Sequence, residues 1–152
     1  MTPIHQNLCN LFNGAPIKKS LNISIHYTED GRAVFDLPRN PALDHALNDV
    51  HGGIIALMLD NAGWFTVAAH YQVWVVTVEF QVRLLEPANQ EPLRSIGKII
   101  RAGERMATAE MQVFGSNNRL VALGQGTFVK TSKSFTQHSA KAISPKSADP
   151  PL

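Results

Sequence analysis

Ile4, Leu8, Leu11 and Phe12 recur at three- and four-residue spacing, which predicts a short amphipathic helix ending near Asn13-Gly14. The period then shortens to two. Leu21, Ile23 and Ile25 alternate with polar residues, Asp30-Gly31 is a turn pair, and apolar positions resume from Ala33 to Leu37, so 21–37 reads as a β-hairpin. The stretch "PRNPALDHALND" carries two prolines and several turn formers and reads as a loop. Over 53–70 apolar residues occupy nearly every position, which predicts a long helix. Next, 72–85 reads as a strand with Val76, Val78, Phe80, Val82 and Leu84 on one face and Thr77, Glu79, Gln81 and Arg83 on the other. Three more strands are expected at 93–101, 105–114 and 119–130, with "AGE" and "GSNN" as the turns. From residue 132 the chain is rich in Ser, Lys and Pro without periodicity, so one domain over 1–131 and a disordered tail over 132–152 are expected.

A single long helix among strands excludes alternating βαβ units. The remaining solution is α+β: an antiparallel sheet curled around one central helix. That architecture explains a helix that is apolar almost all round.

Composition narrows the classes of function. Of 152 residues 44% are hydrophobic, enough for a real core. The net charge of +2 comes from the tail, where Lys133, Lys141 and Lys146 face only Asp149; the rest has 11 basic and 11 acidic residues. Without a basic stripe, no nucleic-acid partner is expected. Cys9 is alone, which excludes an internal disulfide and a cysteine zinc site. The start "MTPIHQNLCNLF" lacks the features of a signal peptide, and the longest wholly apolar run, 54–59, is too short to span a bilayer, so a cytoplasmic protein without a membrane partner is expected. His26, His70 and His138 have no metal-ligand spacing, and no metal is assigned.

One residue resists the pattern. Asp60 sits on the apolar helix, sharing a face with Gly53, Ala56, Leu57, Gly63, Trp64 and Val67. A buried carboxylate is costly unless paired or hydrogen-bonded. Either Asp60 is a structural cap or ion-pair partner, or it does chemistry. Gly52 and Gly53 open the same helix, where free N–H groups and the positive dipole end favour a developing oxyanion. Eight residues separate Gly52 from Asp60, about 12 Å of helical rise. One chain cannot bring both to one carbonyl, but two helices of a symmetric dimer can.

These residues carry a resemblance. "VHGGIIALMLDNAG", "VVTVEFQVRLLEPA", "IRAGERMATAEMQVF" and "NRLVALGQGTF" resemble the hotdog-fold acyl-CoA thioesterases of the phenylacetate-degradation (PaaI-like) family, over about residues 21–130. His-Gly-Gly with an acid nine residues after the histidine is the specific part. The resemblance implies that the Gly52 amide polarises the thioester carbonyl. It implies that Asp60 of the facing subunit is general base or nucleophile, and that Thr77 positions the water. A plain strand residue is the alternative reading of Thr77. His51 belongs to the motif as a structural member, with a direct chemical role as the alternative. A homodimer or dimer of dimers is implied, with coenzyme A as part of the substrate and no separate cofactor.

The chain departs from the family in one place. An Asn usually stands six residues before the motif histidine and a Gly three before it; here these are His45 and Asn48. Either could donate a hydrogen bond to the water, and the altered loop puts substrate choice and activity in question. Arg101, Gly103 and Arg105 resemble the turn that lies against the nucleotide end of CoA in relatives; two arginines beside a glycine suit phosphate oxygens, and a solvated hairpin end is the other reading. The acyl group is expected near Gly53, Leu57 and Trp64, although Trp64 and Trp74 also read as core or interface residues. Two rivals stand beside a thioesterase: an acyl-CoA-binding module without turnover, and a hydratase or dehydratase, which needs a His–Asp or His–Glu pair.

Overall fold

In the computed structural model, residues 1–135 are described. The chain opens with α1 (Pro3–Gly14), which has Pro at its first position, where the missing N–H costs nothing. Its Leu8, Cys9 and Phe12 are buried, and Phe12 meets Phe35 and Phe65 edge-on at 5.0 and 5.5 Å. Pro16 then starts a second helix, α2 (Pro16–Leu21), which ends at Asn22 in the left-handed region, φ 54°. The hairpin therefore begins later than its alternation suggests. Its strands are β1 (Ser24–Tyr27) and β2 (Ala33–Leu37), and Leu21 belongs to the helix.

The loop leads into α3 (Gly52–Tyr71), followed by β3 (Val75–Leu84), β4 (Leu93–Ala102), β5 (Met106–Phe114) and β6 (Leu120–Lys130). The six strands form one antiparallel sheet in the order β1-β2-β4-β5-β6-β3. It curls around α3, which packs against every strand from β2 to β6. The expected α+β arrangement, a sheet wrapped around one long helix, is the one that forms. By length and hydropathy α3 could cross a membrane. Met58, Leu59, Ala62, Val67 and Ala68 on it are nevertheless fully buried by the sheet and α1. It is the core helix of this domain.

Close approach of helix and sheet depends on Gly97. A Cβ there would stand 2.2 Å from the Ala62 carbonyl oxygen. On either side, the Ser95 hydroxyl donates to the Met58 carbonyl (2.9 Å) and the Thr66 hydroxyl to the Ala62 carbonyl (2.7 Å).

β3 differs from its expected facing. The β3–β6 register shifts between Thr77 and Glu79, so Val78 is extra and the alternation changes phase there. Val75 and Thr77 face α3 before the bulge, and Phe80, Val82 and Leu84 face it afterwards. Glu79, Gln81 and Arg83 lie on the outer side. Val78 on this edge strand is 62% exposed, Leu84 54% and Val76 50%. At the other end of β3, the Trp74 N–H donates to the Lys133 carbonyl (2.9 Å), and the Phe135 ring lies 6.2 Å from Trp74. The folded chain thus runs past 131 to Phe135; residues 136–152 of the expected tail lie outside the described residues.

Candidate active site

His51 caps α3. Its Nδ1 accepts the Gly53 N–H at 2.9 Å, and its carbonyl accepts from Ile54 at 2.8 Å. The ring nitrogen facing the helix is spent on capping, which gives His51 a structural task. The Gly52 N–H is left without an acceptor among the described residues, at the positive end of a 20-residue helix. Leu84 closes over it: a Cβ on Gly52 would meet Leu84 Cδ1 at 2.8 Å.

Two turns on, half-buried Asp60 accepts a 2.9 Å hydrogen bond from the Thr77 hydroxyl. Burial pushes its carboxyl above the ordinary value of 3.8, and the Thr77 bond, which favours the charged form, pulls it partly back. None of the ion pairs among the described residues involves Asp60. The ion-pair reading therefore has no cation to rest on. What the structure shows is a half-buried carboxylate with a raised pKa, its orientation set by one hydroxyl.

The exposed stripe of α3 carries Gly53, Leu57, Asp60 and Trp64, none fully buried. Trp64 is pinned by its indole N–H to the Val75 carbonyl (2.9 Å) and packs edge-on against Trp74 at 5.1 Å. It walls one end of the stripe.

The loop before α3 is held by the bidentate Arg39–Asp44 pair (2.8 and 2.5 Å) and an Asp44–Val50 bridge. At its tip His45 Nδ1 accepts the Leu47 N–H (3.0 Å), which leaves Nε2 as the nitrogen open to a ligand or water. Asn48 has φ 64°. Left-handed backbone suits the Gly that the family resemblance leads one to expect here, and Asn is among the few other residues that tolerate it. Asn48 is thus a turn former here, with its side chain exposed.

Arg101, Gly103 and Arg105 gather on the exposed β4–β5 hairpin. The Gly103 carbonyl accepts the Tyr71 hydroxyl at 2.7 Å, which ties the hairpin to the far end of α3. Tyr71 lies eleven residues past Asp60, about 16 Å along the axis. Neither arginine has an ion-pair partner among the described residues. Within one chain the glycine amide, the carboxylate and the arginines are thus strung along the helix and not brought together. Leu84 and Tyr71 escaped the sequence reading. The bulge that turns Leu84 toward Gly52 leaves no mark in an evenly alternating strand, and Tyr71 reads as one more helix-end aromatic. No group of three potential metal ligands occurs among the described residues.

A sheet wrapped around one helix, with a free glycine amide at its start and a lone carboxylate on its open stripe, defines a class with a known family model. The thioesterase superfamily model matches residues 47–122, half of the chain, and the chain belongs to that family. A Saccharolobus solfataricus protein, an esterase by name only, is 27% identical over 113 residues, covering 74% of this chain and 81% of its own. A Bacillus halodurans protein solved with CoA is 26% identical with a TM-score of 0.71, over 86% of this chain and 92% of its own. The Escherichia coli PaaI protein of the phenylacetic acid degradation operon has a TM-score of 0.78 over 86% and 95% of the two chains. At 17% identity it is similar in fold alone.

Proposed function

We propose that this protein is a cytoplasmic acyl-CoA thioesterase, acting on an aryl or short- to medium-chain acyl-CoA as a homodimer or dimer of dimers. The observation that carries the reading is Asp60: half-buried, in no ion pair among the described residues, held by Thr77, on the open stripe of the central helix in a thioesterase-superfamily chain. Asp60 takes a proton from water as the water oxygen attacks the thioester carbonyl carbon. The Gly52 N–H of the facing subunit holds the oxyanion. Collapse breaks the C–S bond, and the leaving thiolate takes the proton from Asp60, giving free acid and CoA. The roughly 12 Å between Gly52 and Asp60 along one helix supports a shared site, and so does the apolar, exposed edge strand β3, a surface suited to a second copy. Leu57, Trp64 and Phe80 would line the acyl channel, and Arg101 and Arg105 the phosphate end of CoA.

A hydratase reading fares worse. Asp60 is partnered by a hydroxyl and His51 by a backbone amide, so this stripe offers no His–Asp pair for moving protons between adjacent carbons. Release of free thiol from a panel of aryl- and alkyl-CoA esters tests the proposal. Binding of these esters without thiol release would leave a ligand-binding module instead.

A further inference from the structure

The loop before the central helix closes in three successive rungs. The His45 N–H bonds to the Asp49 carbonyl (2.9 Å), Asp44 pairs antiparallel with Val50, and the His51 N–H bonds to the Leu43 carbonyl (2.9 Å). Asp44 stands on the middle rung. Its own peptide leads into His45, and the rung beside it ends on His51, whose peptide leads into the Gly52 N–H. The Asp44 side chain is only 8% exposed, and the Arg39 fork takes both of its oxygens, at 2.8 and 2.5 Å. Its N–H bonds to the Pro41 carbonyl (3.2 Å), so main chain and side chain are both fixed there.

For stability alone such a pair is a poor device. Two charges taken out of water recover little more than apolar side chains of the same volume would give. What a shielded bidentate pair adds is direction, because a planar fork on a carboxylate fixes angle as well as distance. The groups whose peptides it holds are chemically defined. His45 Nδ1 accepts the Leu47 N–H at 3.0 Å, so in the neutral ring the proton sits on Nε2. His45 therefore meets a ligand as a donor and not as a base. The Gly52 N–H is the other donor, left without an acceptor among the described residues.

We propose that Arg39 and Asp44 are positioning residues of the thioester site, a clamp that sets the His45 Nε2–H and the Gly52 N–H relative to one another. This role rests on the thioesterase reading. Two variants of the full chain test it. Arg39→Lys keeps the charge and loses the fork. Arg39→Met combined with Asp44→Leu replaces the pair by apolar side chains and should fold with a melting temperature near the parent's. In both, kcat with CoA esters should fall by about 10²-fold, the cost of an ångström's misplacement, with KM unchanged. Without substrate, the His51 amide should lose most of its protection from hydrogen exchange as its bond to Leu43 loosens. Unchanged kcat in the stable double variant would overturn the proposal. So would His51 protection equal to the parent's, or a rise in KM that accounts for the whole loss. A parent that releases no thiol from any CoA ester would instead refute the thioesterase reading, and His51 exchange would still decide whether the pair holds the two donors.

Discussion

Thr77 and Asp60 meet at 2.9 Å because β3 bulges one residue further on. Before the bulge the odd-numbered residues face the helix; after it the even-numbered ones do. A single extra residue therefore lets one strand give a hydroxyl to the carboxylate at one end and the apolar Phe80, Val82 and Leu84 to the helix side at the other.

Asp60→Asn separates chemistry from structure. The change keeps size and hydrogen bonding and removes the charge and the basicity. As a positioned base, Asp60 predicts a fall in kcat of about 10²- to 10⁴-fold. Its raised pKa also fixes the sign of the stability change. A carboxyl that holds its proton more tightly when folded contributes stability at low pH, and this is lost as pH rises from the ordinary 3.8 through the folded value. At neutral pH the Asn variant should therefore be as stable as the parent or more so, with the difference vanishing in acid. Melting curves and turnover on the same preparations check both. A variant that is less stable by about 3–5 kcal/mol yet fully active would make Asp60 a structural group.

Thr77→Val tests the hydroxyl with little change in shape. Removing a donor to the charged form leaves burial unopposed, so the Asp60 pKa rises further. The acid limb of the kcat/KM profile should move to higher pH, and kcat at its plateau should fall about tenfold as the carboxylate loses its orientation. A pH profile superimposable on the parent's would mean that Thr77 acts as an ordinary strand residue.

Arg101→Ala and Arg105→Ala address the nucleotide end. Removing either arginine from an exposed phosphate should cost on the order of 1 kcal/mol after screening, or several-fold in KM. The increase should appear with CoA esters and not with a truncated pantetheine thioester of the same acyl group. Equal effects on the two substrates would return the hairpin to a solvated turn.

Most of this architecture was legible in the runs and spacing of apolar residues. The long helix shows as a nearly unbroken apolar run over 53–70, and the four later strands follow from alternation at a period of two; together they set the α+β class. Asp60 stood out because it broke such a run. What stayed hidden depends on single residues whose effect is felt elsewhere. Pro16 converts the start of an apparent strand into α2, and the extra Val78 re-aims Phe80 and Leu84. In the loop, alternation has nothing to say about Asn48, whose φ of 64° puts it in the left-handed region that Gly and Asn tolerate best. His45, by contrast, is placed but not explained: its Nδ1 serves its own turn.

Gly52→Pro is the cleanest test of a shared site. Proline is well tolerated at the first position of a helix, where its N–H would be unpaired anyway, and the substitution removes only that group. The preceding residue suits it too, since His51 already has the extended ψ of 133° that a following proline demands. The one local cost is Leu84 Cδ1, the end of a flexible and half-exposed side chain that can turn away. The variant should therefore fold with a melting temperature near the parent's and lose about 10²- to 10³-fold in kcat, the range for one oxyanion donor. Mixed with Asp60→Asn chains, it should recover activity. In each mixed dimer one of the two sites pairs an intact Gly52 with an intact Asp60, while the other lacks both. With random assortment half of the dimers are mixed, so total activity should approach one quarter of the parent's. Mixed dimers that form, as shown by differential tagging, and yet stay inactive would place Gly52 and Asp60 in separate functions and remove the shared site.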